Sequence, residues 1–147
     1  MIYFVETHAN EQRQTLCRWV ERFHEEGKKV QIVVDSTMAA QHLDQLLWTY
    51  SEGSFIPHRI FQVKASDSLI EPVVITIGEV RLEGFDVLVC DAQVHLDFMK
   101  QYPVAIHFIL RDDEDRKQES RLMWQSARDQ GVQLHHVPYT SPTRRPY

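Results

Sequence analysis

The sequence predicts a single α/β domain, a three-layer α/β/α sandwich around a mainly parallel central sheet. Three observations carry that expectation. Strand-like and helix-like segments alternate along the chain from residue 2 onward. The segment Val30 to Val34 is almost wholly apolar, the pattern of a strand covered on both faces. The 147 residues, 43% of them apolar, are enough for one sizeable core.

The elements follow in order. Residues 2–6 are β-branched or aromatic up to Glu6 and read as a first strand. Asn10 is placed to cap a helix running to Glu26, which Gly27 ends. Leu16, Val20 and Phe23 recur at three-to-four-residue spacing there, with Trp19 alongside, so one side packs on a sheet. The strand Val30 to Val34 stops at Asp35-Ser36, either of which can cap a helix over Met38 to Trp48. Residues 49–54 are turn-like, and Ser54-Phe55-Ile56-Pro57-His58 reads as a surface loop, because proline continues neither a helix nor a central strand. Further strands are predicted at Val73 to Ile77, Asp86 to Cys90 and Val104 to Leu110, with Gly78, Gly84 and a short helix over 94–101 between them. A last helix spans Asp112 to Gln130 and stops at Gly131, and Val132 to Val137 closes the sheet. The domain is therefore expected over residues 1–137, with a loose tail containing proline and arginine over 138–147.

Sixteen Lys and Arg against 21 Asp and Glu give a net charge of −5. No bulk positive field draws such a chain onto nucleic acid or anionic lipid, so any anion site has to be local. Cys17 and Cys90 have neither zinc-motif spacing nor disulfide-scaffold density and read as reduced core thiols. The opening apolar run is too short for a signal-peptide core and lacks a basic flank, and no stretch approaches membrane-spanning length. A cytoplasmic protein without a membrane partner is expected.

Catalytic patterns are weak. The five glycines are isolated, and the turn Glu6-Thr7-His8-Ala9-Asn10 has none, so no phosphate-cradling loop follows the first strand. Among eight histidines, His135 and His136 are adjacent and point to opposite faces of a strand, which prevents joint chelation. No cofactor is expected. The best enzymatic alternative uses Asp35 and Asp91, both at carboxyl ends of strands, as metal-binding or general-base carboxylates of a nucleotide- or metal-dependent enzyme. Helix capping is the plainer explanation of Asp35.

Two features point to binding instead. Lys117, Arg121, Trp124 and Arg128 are spaced by four, three and four residues, which aligns three cations and an indole along one helix face. Guanidinium groups hold carboxylates bidentately and the ring supplies an apolar wall, so the stripe suits an acidic peptide with an apolar end. Single-stranded nucleic acid is a further possible ligand. The plainer alternative is a solvated helix face with Trp124 packed inward. The second feature is Trp48 with Phe55, Ile56 and Pro57, an apolar group that either folds onto the core or anchors a protein interface.

The run Leu43-Asp44-Gln45-Leu46-Leu47-Trp48 followed by Ser54-Phe55-Ile56-Pro57-His58 resembles the most distinctive stretch of the chi subunit family of bacterial DNA polymerase III. Gly27-Lys28-Lys29-Val30, Arg121, Trp124, Arg128 and Gly131 extend the resemblance over most of the chain. It implies a nucleotide-binding-like sandwich without a phosphate loop, and a bridging subunit that is not an enzyme. It further implies that Lys117, Arg121, Trp124 and Arg128, with Ile109 or Leu110 nearby, receive the acidic C-terminal tail of single-stranded DNA-binding protein. Trp48, Phe55, Ile56 and Pro57 are implied to face the psi subunit of the clamp loader, where a helicase-like protein can compete. Family members often carry tyrosine and lysine where Trp124 and Gln125 stand here.

Overall fold

A computed structural model describes residues 1–50, 55–62 and 71–141. The end of the predicted 49–54 turn, the segment 63–70 and the last six residues of the predicted tail lie outside the described residues. Seven strands form one sheet: β1 (Ile2–Thr7), β2 (Val30–Val34), β3 (His58–Ile60), β4 (Val73–Ile77), β5 (Val87–Cys90), β6 (Val104–Leu110) and β7 (Leu134–Val137). Their order is β3-β4-β2-β5-β6-β1-β7, and every pairing is parallel. The helices are α1 (Gln12–Glu25), α2 (Thr37–Thr49), the short α3 (Leu96–Met99) and α4 (Glu114–Asp129).

Alternation along the strands builds two cores. Leu16 and Val20 of α1 and Leu43 and Leu47 of α2 bury against Ile32, Ile75, Val89 and Ile106 on one face. On the other face Phe98 and Met99 of α3, with Met123 and Trp124 of α4, pack against Phe4, Leu88 and Ala105. The sheet is thus sandwiched between helices, the predicted fold class. Buried polar groups find partners, as their desolvation requires. Gln31, fully buried in β2, donates to Thr76 Oγ1 at 3.1 Å and to the Val80 carbonyl at 2.7 Å, and accepts from the Tyr102 hydroxyl.

Several details correct or refine the sequence expectation. Asn10 does not cap α1; it lies inside a 3-10 turn (Ala9–Glu11), and Asp112, before α4, accepts from the Ala9 N–H at 3.0 Å instead. Of the two residues expected to cap α2, Ser36 does so, accepting from the Ala39 N–H at 3.1 Å, so capping does not account for Asp35. The predicted surface loop over 54–58 leads at His58 into β3, an edge strand in which the missing N–H of Pro57 is tolerated. The predicted loose tail is tied down at its start. The Tyr139 hydroxyl donates to the Glu11 carboxylate at 2.9 Å, and its ring stacks on His8.

Gly131 has φ of 75°, left-handed backbone that costs other residues strain. With it the Val132 N–H reaches back to the Ala127 carbonyl and terminates α4, turning the chain into β7.

Candidate functional site

α4 is a peripheral helix: only Ser120 and Ala127 are fully buried, because most of its residues are charged or amide-bearing. Asp113 accepts from the Arg116 N–H at 3.1 Å, and Glu114 and Asp115 in the first turn favour the helix dipole. That leaves the middle of the helix to face the sheet edge. Lys117, Arg121, Trp124 and Gln125 form one wall of an open groove of about 570 Å³, with Phe4 and Glu6 of β1, Ile109 of β6 and His136 of β7 opposite.

Trp124 is neither sunk in the core nor free. Its ring stands edge-on to Phe4, with centroids 5.0 Å apart and an interplanar angle of 81°, and the half-buried indole lines the groove. Lys117 is 3.9 Å from Glu114, a loose surface pair. Arg121 is exposed and forms no ion pair among the described residues. Glu6 is the one acidic residue in the lining; Arg111 at 3.4 Å offsets its charge, and His136 hydrogen-bonds it. Beneath the groove, buried Ser120 shares a 2.8 Å hydrogen bond with His107. Burial, aided by the Arg116 charge, pushes the His107 pKa down to about 4.

Of the predicted residues, Lys117, Arg121, Trp124 and Ile109 come together. Arg128 is exposed one turn beyond Trp124 and lies outside the lining. Leu110 is buried and alternates to the opposite sheet face from Ile109, so it does not reach the groove. Phe4, Glu6, Ser120, Gln125 and His136 were not anticipated. Phe4 and Glu6 share a face by strand alternation, but only the parallel register of β1 with β7, Phe4 opposite His136, brings His136 beside them.

The second predicted surface divides. Trp48 is 46% and Phe55 71% exposed, with ring centroids 5.7 Å apart, a pair of apolar rings at the surface. Pro57 is half-buried, but Ile56 is 2% exposed and belongs to the core under α2. His58 props the patch from inside: its ring lies 4.2 Å from the Trp48 ring, and its nitrogens face the carbonyls of Ile56 and Asp44 and the Asp44 carboxylate at 3.0 Å.

Asp35 and Asp91 line a common cleft with Arg13, His42 and Arg116 at the carboxyl ends of the strands. The Asp91 carboxylate is occupied there, by Arg13 at 3.1 and 3.3 Å and by the Gln12 amide at 3.1 Å, and its side chain is 4% exposed. Asp112 already accepts from the Ala9 N–H in the turn after β1, where a phosphate is held in nucleotide-binding sheets. Among the described residues no group of three His, Cys, Asp or Glu side chains is placed to hold a metal ion, and no helix is long and apolar enough to cross a membrane. Cys17 and Cys90 are free and buried. Burial pushes the Cys17 thiol up to about 12, which leaves it unreactive.

A family profile described as DNA polymerase III chi subunit, HolC, matches residues 1–135. The chain belongs to the DNA polymerase III chi subunit family. This chi-family chain is also similar to the DNA polymerase III subunit chi of Haemophilus influenzae, 28% identical over 121 residues that cover 80% of this chain and 81% of the relative. Among solved structures it shares its fold with the C-terminal domain of S. cerevisiae Dbp5 L327V, determined bound to Gle1 H337R and IP6. There the TM-score is 0.65 and the identity 16%, over 93% of this chain and 88% of that one. A longer Dbp5 structure gives a TM-score of 0.64 at 16% identity, over 95% of this chain and 41% of that one. At such identity the likeness is one of fold.

Proposed function

We propose that this chi-family chain is a non-catalytic adaptor of the replication machinery, joining the clamp loader, through psi, to the acidic C-terminal tail of single-stranded DNA-binding protein. The observation that carries the reading is the α4 groove, where Lys117 and the unpaired Arg121 flank a half-buried indole. A peptide ending in aspartates and a phenylalanine matches it, carboxylates to the cations and the terminal ring to Trp124, Phe4 and Ile109. The exposed Trp48 and Phe55 rings are suited to psi, and a helicase-like protein is an alternative occupant of the same patch. Holding both partners on one rigid domain raises the local concentration of clamp loader at coated single-stranded DNA, and no bond is made or broken. The Arg13-Asp91 pair supports the non-catalytic part of the reading, since it neutralises the carboxylate best placed for chemistry.

Calorimetric titration with a synthetic acidic peptide ending in phenylalanine tests the tail site. Arg121→Ala should weaken binding by about 1.5–3 kcal/mol, the range of a charged hydrogen bond, and added salt should weaken the wild type as well. An unchanged affinity in the variant would remove the groove as the receptor.

A further inference from the structure

We propose that the α4 groove continues over the end of β7 into a second arginine-bearing groove against α1, which takes the acidic residues upstream of the peptide's apolar end. The proposal rests on the tail-binding reading above and deepens it. The second groove, of about 350 Å³, is lined by Arg18, Trp19 and Arg22 of α1, Tyr3 and Val5 of β1 and the start of the C-terminal segment. It repeats the chemistry of the first on the other face of the sheet. The Arg22 guanidinium lies over the Trp19 ring, 5.3 Å from its centroid, and is paired with Glu26 at 3.4 Å. Arg18 forms no ion pair among the described residues, as Arg121 does not in the first groove. Each groove thus sets a free guanidinium one or three residues from an indole on a helix flanking the same sheet edge.

The two grooves meet. Glu6 lines both of them, because the pairing of β7 with β1 ends at Val137 opposite Val5, while β1 runs on to Thr7. Pro138 follows at once and has no N–H to continue the ladder. Past that point the edge is covered by Tyr139, whose ring stacks on His8 and lies under the Arg111 guanidinium, so a crossing chain runs over the outer rim of β7. Glu6 is the one acidic residue in either lining, and with His136 and Arg111 on it the crossing presents no bare carboxylate to an acidic peptide. Six extended residues reach about 20 Å, the scale of the distance from one helix layer to the other around a sheet edge.

Two fluorescein-labelled peptides separate the grooves by anisotropy with the full chain. The short one is two aspartates and a C-terminal phenylalanine; the long one adds six upstream residues, alternately aspartate and glycine. The long peptide should bind about two- to fivefold more tightly, an exposed ion-pair contribution. Arg18→Ala should erase that gap while leaving short-peptide binding and the melting temperature unchanged, and Arg18→Glu should invert it. Lys28→Ala removes the same charge outside both grooves and should preserve the gap. Equal affinities of the two peptides for the wild type, a gap that survives Arg18→Ala, or a gap that Lys28→Ala also erases would each overturn the second groove. Failure of the first groove shows separately, as short-peptide binding that Arg121→Ala leaves untouched.

Discussion

His107 shows how a single side chain beneath the groove shapes the behaviour of the protein. Its imidazole is enclosed against Phe4 and hydrogen-bonded to Ser120, so the charged form is disfavoured in the fold. Its pKa is pushed down to about 4, whereas the unfolded chain titrates near the ordinary 6.5. Between these values the unfolded state binds the extra proton, so stability is lost as pH falls from about 6.5 towards 4, up to about 3 kcal/mol. Urea denaturation at pH 7 and at pH 4.5 should show His107→Gln losing less stability between the two than the wild type; parallel losses would mean that His107 does not titrate in this way. The neighbouring groove residues were legible only in part. Lys117, Arg121 and Trp124 share one helix face, and their spacing alone brings them together. Glu6 and His136 are 130 residues apart and meet through a strand pairing that no local pattern encodes.

At the scale of the elements, β2, β4 and β6 fall on the β-branched runs expected for them, because buried parallel strands carry a near-continuous apolar signal. The sequence reading lost β3 for the opposite reason: three residues at a sheet edge beside a proline lack both length and periodicity. It likewise missed what holds the 3-10 turn before α1, since Asp112 reaches Ala9 from a loop more than a hundred residues away. The loop leading into β3 also separates two neighbouring apolar residues that sequence alone treats alike. Ile56 fills the core under α2, while Phe55 extends into solvent beside Trp48. Ile56→Ala should therefore cost about 2–5 kcal/mol in denaturant melts. Phe55→Ala should leave stability within about 0.5 kcal/mol and abolish retention on immobilised psi. A destabilised Phe55→Ala that still retains psi would contradict the assignment of that patch.

For the molecule as a whole, the cleft at the carboxyl ends of the strands stays open, but its Asp91 carboxylate is paired from within. Gln12 and Arg13 of α1 occupy Asp91, and Asp112 caps the turn after β1. Exposed cations beside indoles lie instead at the β7 edge, and an exposed pair of rings lies around Trp48. With a net charge of −5, the local cations of the β7 edge stand out against an acidic background, which favours a short acidic segment over a nucleic acid backbone. The three tryptophans report on three different surfaces: Trp124 on the α4 groove, Trp19 on the α1 groove and Trp48 beside Phe55. Titrating the ¹⁵N-labelled chain with the short aspartate-phenylalanine peptide, and following the three indole N–H resonances, tests the central claim most directly. The Trp124 resonance should move with peptide while Trp19 and Trp48 stay in place; a Trp124 signal that holds still while Trp48 shifts would contradict it.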